Sequence, residues 1–238
     1  MDKLPESNIK VESKSASWIK NYWYYYKWRV IAVVFAVIVV AVCAGQMCSN
    51  SRGDIKIIYA GSYPSSGGMV PGMADAFSVV IPDEYSDGGS KKASLVMFTI
   101  YSDEQIEALK ESEGIVIDSN NNRQELGKFK DTVVSSDAYL CMVDPTLYEV
   151  LDELGVVMPL SEVLGYTPEY AVDGKAIRLS DTEFGQYFES FKVLSETYLC
   201  VRSPGVIQNA TGRGEKSYEF ECAQELLKQI VEYKAPEE

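Results

Sequence analysis

The chain contains no histidine among its 238 residues. This absence excludes Ser-His-Asp and Cys-His catalytic arrangements, and also zinc sites that are ligated by histidine. No pair of carboxylates stands at a spacing typical of acid-base catalysis, and Glu149, Asp152 and Glu153 are better explained as one solvated helix face. We therefore predict a protein that is not an enzyme and that requires no cofactor.

Cysteine is scarce and is not arranged as a disulfide framework. The chain has five cysteines, and no CxxC pair occurs. Cys141 and Cys200 lie within apolar runs that predict strands. Buried free thiols are the expected state of Cys141, Cys200 and Cys222, and a disulfide between neighbouring strands is the alternative.

Basic residues are outnumbered by acidic ones, 22 to 35. Six of the basic and three of the acidic residues precede residue 49, which leaves 16 basic and 32 acidic residues after it, a net charge of −16. This charge argues against nucleic acid as a partner, because nucleic-acid binding requires a basic surface. It also argues against a domain that lies flat on anionic lipid.

Metal-binding patterns are incomplete. Asp83, Asp87 and Gly88 match part of a calcium-binding loop, but Tyr85 stands at its third position and Ser94 at its twelfth, where the pattern has Glu. A turn explains these residues better, and we predict no metal site.

One long apolar run is present, at residues 30–44, where fifteen consecutive residues carry no charge. The aromatic and basic segment NYWYYYKWR, residues 21–29, precedes it directly. Such a segment suits the headgroup interface, so we predict a transmembrane helix within residues 21–47. Six basic residues precede the run, which places the N-terminus in the cytoplasm and the rest outside the cell. A cleaved signal peptide is the alternative, although its N-terminal region would be unusually long.

This orientation gives four segments: a disordered cytoplasmic tail at residues 1–20, the anchor at 21–47, a tether at 48–54 and an extracellular domain at 55–238. In the domain, buried strands alternate with helices, which predicts an α/β fold with a mostly parallel sheet. Strands are predicted at residues 55–60, 95–101, 115–119, 139–143 and 193–202. Helices are predicted to begin at Ser102, Asn122, Asp144, Ser180 and Ser217, with residues 73–80 open between helix and strand. Asp173-Gly174 predicts a hairpin turn and residues 202–214 a flexible loop.

Three predicted strands end in polar loops, and these loops are the candidate site. In open α/β sheets, ligands bind at the carboxyl ends of the strands. We therefore predict ligand-binding roles for a set of loop residues: Ser62, Tyr63, Ser102, Asp144 and Thr146. Helix capping alone is the alternative for Ser102 and Asp144.

Residues 124–160, QELGKFKDTVVSSDAYLCMVDPTLYEVLDELGVVMPL, resemble part of the type 2 extracellular solute-binding proteins of ABC importers. The shared order is a helix, a strand ending in Asp, a helix ending in Gly, and an apolar pair before Pro-Leu. With residues 55–60 and 177–188, the wider chain also resembles small single-span proteins of Gram-positive bacteria that carry a reduced form of this domain. About 190 residues follow the anchor, so the second lobe is reduced to a hairpin, a short helix and a strand.

The resemblance implies a membrane-anchored, outward-facing domain related to one lobe of a solute-binding protein. It implies that the domain binds a small polar solute, or a permease or sensor protein, without chemistry. A structural or interaction subunit of a membrane complex, with no small-molecule ligand, is the alternative function.

Overall fold

A computed structural model describes residues 14–48, 54–63, 69–85 and 92–236. The chain forms two compact units, Met1–Ser51 and Arg52–Glu238. The first contains helix α1, Lys14–Cys48. Residues 14–20 of the predicted disordered tail belong to this helix, and residues 1–13 lie outside the described residues. All side chains at positions 31–42 are exposed.

No helix within the described residues combines the length and the apolar character needed to cross a bilayer. The transmembrane span at residues 21–47 therefore stays a prediction. The tether was predicted at residues 48–54, and residues 49–53 lie outside the described residues.

The second unit is built on a sheet that has six strands among the described residues, in the order β2-β1-β3-β6-β5-β4. The strands are β1 Asp54–Gly61, β2 Lys92–Thr99, β3 Leu140–Val143, β4 Ala171–Val172, β5 Ala176–Arg178 and β6 Tyr198–Val201. β1, β2 and β3 are parallel, whereas β6, β5 and β4 are joined by antiparallel pairing. The fold is thus mixed α/β, and the prediction of a mostly parallel sheet is wrong for half of the strands.

One of the antiparallel pairings, between β4 and β5, has a local cause. Asp173 and Gly174 both have positive φ, 49° and 76°, which is the backbone of the tight hairpin turn that the Asp-Gly pair predicts. The hairpin joins β4 to β5, so these two strands cannot be parallel.

Helices cover both faces of the sheet. They are α2 Met69–Val80, α3 Asp103–Glu113, α4 Ser119–Ser135, α5 Pro145–Glu153, α6 Leu160–Val163, α7 Glu183–Tyr187, α8 Val206–Ala210 and α9 Tyr218–Glu232. Ile57 and Tyr59 of β1 pack in one core with α2, α7 and α9. Ile58 and Ala60 alternate to the opposite face and pack with α4 and α5. The result is a sheet between two layers of helices.

Several predicted boundaries shift because a different residue caps the helix. Asp118, not Asn122, caps α4 and accepts from the backbone N–H of Asn120 at 2.9 Å. Residues 115–118 therefore lead into a helix cap and form no strand. Thr182, not Ser180, caps α7 and accepts from the N–H of Gly185 at 3.0 Å.

Other differences arise where packing against the rest of the domain determines the conformation of a segment. Residues 73–80, open between helix and strand in the sequence, belong to α2. The predicted strand 193–202 is shortened to β6, and the segment before it forms turns. The predicted flexible loop 202–214 contains α8, whose Gln208 donates to the carbonyl of Val134 at 2.6 Å.

Candidate functional site

The parallel strands β2, β1 and β3 end side by side. Gly61 pairs with Thr99, and Ala60 pairs with Val143. The ladder continues past the strand ends, because the N–H of Asp144 donates to the carbonyl of Ala60 at 3.0 Å. The three loops that the sequence singled out therefore leave the same edge of the sheet, as predicted.

The side chain of Asp144 does not cap its helix. Asp144 occupies the N-cap position of α5, but its carboxylate makes no capping hydrogen bond, and Pro145 follows it at the start of the helix. Proline lacks an N–H, and its fixed φ suits a first helical residue, so the helix begins without help from the carboxylate. Instead, Asp144 Oδ2 accepts from the backbone N–H of Ser62 at 2.9 Å. The carboxylate thus faces the β1 loop.

A chain of hydrogen bonds joins the β1 loop to the β2 loop. Gln105 Nε2 donates to Ser62 Oγ at 3.2 Å, and Gln105 Oε1 accepts from the N–H of Ser102 at 2.8 Å. Ser102 Oγ accepts from the N–H of Gln105 at 3.2 Å, which completes the predicted capping box of α3. Ser102 therefore acts as a helix cap, and its partner Gln105 holds Ser62 in place.

The hydroxyl of Tyr59 is buried and unsatisfied. Tyr59 is 1% exposed, and its oxygen has no hydrogen-bond partner among the described residues. Burial, together with the negative charge of Asp144, raises the pKa of Tyr59 well above its usual range. The backbone amide of Tyr63 acts on this pKa in the opposite direction but falls short of hydrogen-bond geometry. An unpaired buried hydroxyl is costly, so its retention is a functional hint.

Gly61 keeps these two groups close together. A Cβ at position 61 would lie 2.5 Å from Asp144 Oδ1 and 2.8 Å from the hydroxyl of Tyr59. Any side chain here would displace the carboxylate or the ring. Glycine is therefore required at this strand end so that a carboxylate and a phenol can converge.

Asp144 and Tyr59 line a cavity of about 230 Å³ at the sheet edge. The lining residues are Tyr59, Ser62, Tyr63, Gln105, Asp144, Pro145, Val193, Leu194, Ser195, Glu196 and Thr197. Two of them, Asp144 and Glu196, carry carboxylates, and none is Lys or Arg. Such a lining favours a ligand that donates hydrogen bonds and carries no negative charge.

The predicted site residues divide between two places. Ser62, Tyr63 and Asp144 line this cavity. Ser102 and Thr146 instead line a separate cavity of about 400 Å³, formed with α3, α4 and α5. The five residues therefore do not line one cavity, and Thr146 is exposed in the first turn of α5. Their ligand-binding roles stay a prediction.

Sequence reasoning missed Tyr59, Gln105 and the segment at residues 193–197. Tyr59 lies inside an apolar strand, where an aromatic residue is ordinarily explained by the core. Gln105 was identified only as a capping residue. Residues 193–197 were predicted as strand, and their chain position gives no sign that they border the β1 loop. The available signal for Tyr59 was its position directly before Ala60 and Gly61, the two residues that end β1.

Among the described residues, no group of three or more acidic or cysteine side chains is placed to hold a metal ion. Asp87 and Gly88, from the partial calcium pattern, lie outside those residues. Comparison of the chain with protein-family models, with curated proteins and with solved structures gave no match. Function is therefore inferred from the residues of the site.

Proposed function

We propose that the domain binds a small polar solute, without chemistry, in the cavity formed by Tyr59, Ser62, Tyr63 and Asp144. The observation that carries this proposal is the pairing of a buried, unsatisfied phenol with a carboxylate that does not cap its own helix. The Tyr59 hydroxyl gains no hydrogen bond among the described residues on folding, and the Asp144 carboxylate, which accepts from the Ser62 N–H, keeps capacity for a further donor. A bound solute would supply the missing partner of the hydroxyl and a donor for Asp144.

The charge of the cavity lining restricts the class of solute that can bind. Two carboxylates and no basic side chain border the cavity. An anion would be repelled there, whereas an amine or a neutral polyol offers the donors that Asp144 and Tyr59 accept. A volume of about 230 Å³ is smaller than that of most drug-sized sites, so the solute is small. The resemblance to solute-binding proteins agrees with this class.

The binding experiment uses the full chain. Amines, amino acids and sugars are screened by thermal shift, and affinities are measured for the solutes that stabilise the protein. Asp144→Asn keeps an oxygen for the Ser62 N–H but loses the charge, so we expect a tenfold or greater loss of affinity, about 1.4 kcal/mol, at an unchanged Tm. The matched control is Asp118→Asn, at a position where the aspartate does cap its helix. Equal affinity in the Asp144→Asn variant and the parent would refute the assigned site.

We also propose that α1 anchors the protein in the cell membrane, with the N-terminus in the cytoplasm and the domain outside. The support is the aromatic and basic segment at residues 21–29 and the apolar, exposed side chains from residue 31 to 42. A helix that is apolar on all sides requires an apolar environment. The protein should stay in the membrane fraction through an alkaline wash, and external protease should remove the domain. A soluble mature form that begins near residue 45 would instead indicate a cleaved signal peptide.

A second candidate function, an interaction subunit of a membrane complex, is favoured by one observation. Tyr166, Tyr170 and Tyr187 are 44%, 38% and 48% exposed. Exposed tyrosines are typical of protein interfaces. A photocrosslinking residue at Tyr187 should give one discrete adduct with a membrane protein if this function is correct. The control position is Val116, which is 80% exposed, and equal crosslinking there would contradict it.

A further inference from the structure

Two of the buried cysteines face each other across neighbouring strands. In the antiparallel register of β3 and β6, Cys141 is the direct partner of Cys200. Both are 0% exposed, both are free thiols, and both belong to the core beneath α4 and α5. Their side chains therefore point to the same face of the sheet.

The register also fixes how far apart the two residues are. The N–H of Arg202 donates to the carbonyl of Tyr139 at 2.9 Å, which makes that pair a hydrogen-bonded one. Pairs alternate along an antiparallel ladder, so Cys141 and Cys200, two positions further, form a hydrogen-bonded pair as well. Cα atoms in such pairs are about 5.5 Å apart, which lies within the range that disulfides bridge.

The surroundings distinguish the two thiols. Interaction with the adjacent Cys200 thiol lowers the pKa of Cys141, against the opposing effect of burial. The guanidinium of Arg202 adds to the lowering. The same interaction, with burial, raises the pKa of Cys200.

Arg202, two residues beyond Cys200 and directly after β6, is held in a fixed position. Its Nε donates to the carbonyl of Ala138 at 2.7 Å, and its guanidinium lies 4.6 Å from the centre of the Tyr139 ring. A fixed positive charge favours a thiolate at Cys141.

Cys222 offers a built-in comparison. It is also 0% exposed, but it lies in the core on the opposite face of the sheet. Burial raises its pKa to about 12, and neighbouring glutamates add to the effect. Neither a partner cysteine nor a positive charge contributes to the pKa of Cys222.

We propose that Cys141 and Cys200 form a reversible cross-strand disulfide when the protein meets a low-molecular-weight disulfide, and that Cys141 is the attacking thiol. Cys141 thiolate attacks one sulfur of the small disulfide and releases one small thiol. Cys200 then gives up its proton and attacks the Cys141 sulfur of the mixed disulfide, which releases the second small thiol. The two protein thiols lose two electrons in total, and the small disulfide gains them.

The test uses the purified full chain and oxidised glutathione. One sample is incubated in the native state, and a second is unfolded in urea and refolded in the same redox buffer, so that burial does not limit access. Remaining thiols are alkylated, and the digest is analysed by mass spectrometry. We expect one linked peptide that contains Cys141 and Cys200, and its disappearance after treatment with a reductant.

Three single variants make the test specific. Cys222→Ser should retain the linked peptide, whereas Cys141→Ser and Cys200→Ser should lose it. In the Cys200→Ser variant, Cys141 should accumulate the glutathione adduct at least tenfold faster than Cys200 does in Cys141→Ser. Absence of the linked peptide from both parent samples would overturn the proposal, and so would linkage of either residue to Cys222 at equal yield. An equal rate of adduct formation would overturn the assignment of Cys141 as the attacking thiol.

Discussion

Replacing Tyr59 with phenylalanine should stabilise the unliganded protein and weaken solute binding. The substitution keeps the ring in its core position next to Ile57 and removes only an oxygen that has no partner among the described residues. Retaining a buried polar group without a partner costs about 1–3 kcal/mol. Removing it should therefore recover about 1 kcal/mol, which for a chain of this size is about 2–4 °C in Tm.

Tyr148→Phe is the matched control, because this hydroxyl is satisfied. Tyr148 donates to both carboxylate oxygens of Asp173, at 2.8 and 2.9 Å. Hydrogen bonds to a charged group contribute about 1.5–3 kcal/mol, so this variant should lose stability. The two tyrosines are similarly buried, 1% and 4% exposed, and differ mainly in whether the hydroxyl is paired.

The assay is thermal and urea unfolding of both variants beside the parent, first without solute and then with a solute that stabilises the parent. The Tyr59 variant should melt higher without solute and gain less from it. The reasoning would be refuted if Tyr59→Phe lowered Tm as much as Tyr148→Phe does. That result would mean that the hydroxyl contributes to folding and is not held for a ligand.

Three further predictions concern contacts that stabilise the domain. Arg202→Lys cannot reproduce the planar hydrogen bonds of the guanidinium to backbone carbonyls, so Tm should fall by about 4–16 °C, for a loss of about 2–4 kcal/mol. Asn122→Ala should lose about 1–2 kcal/mol in urea unfolding, because Asn122 bonds both the N–H and the carbonyl of Tyr101 at 2.9 and 2.8 Å. Asp137→Asn should lose less than about 1 kcal/mol at pH 7, since the carboxylate forms a partly exposed ion pair with Lys56 at 2.9 Å.

The Asp137 prediction carries a pH dependence with a definite sign. Burial alone would raise the pKa of Asp137, but the hydrogen bond and the charge of Lys56 outweigh it and lower the pKa below its usual value. The ion pair therefore contributes fully above the unfolded pKa of about 3.9, and its contribution is lost as the pH falls through the lower folded pKa. The stability difference between parent and variant should shrink as the pH falls below about 3.9, and a difference that stays constant in acid would contradict this assignment.

The Arg202 and Asn122 predictions have their own controls. Asn121→Ala changes an exposed neighbour of Asn122 and should leave stability unchanged. Lys130→Arg makes the opposite exchange, from lysine to arginine, at an exposed position of α4, and it should also leave Tm unchanged. If the Arg202 variant melted like the Lys130 variant, the buried guanidinium would not be the support described here.

Local sequence signals determined several elements of this protein. Ser102 with Gln105 predicted the cap of α3, Pro145 the start of α5, and Asp173-Gly174 the hairpin. These features depend on backbone preferences that act over about four residues, so they can be recognised without knowledge of the rest of the chain. The polar ends of β1, β2 and β3 likewise predicted which edge of the sheet carries the cavity.

Only the tertiary structure decided which residues at that edge meet. The direction of β6 depends on how the chain returns after the hairpin, and no local pattern encodes it. The place of residues 193–197 beside Tyr63 depends on that return. Asp144 and Thr146 are two positions apart in sequence, yet they line different cavities, because a turning helix separates their side chains. Whether the Tyr59 hydroxyl has a hydrogen-bond partner depends on every group that packs around it. In the sequence, Tyr59 therefore resembles an ordinary core residue of a strand, and only the tertiary structure identifies it as part of the site.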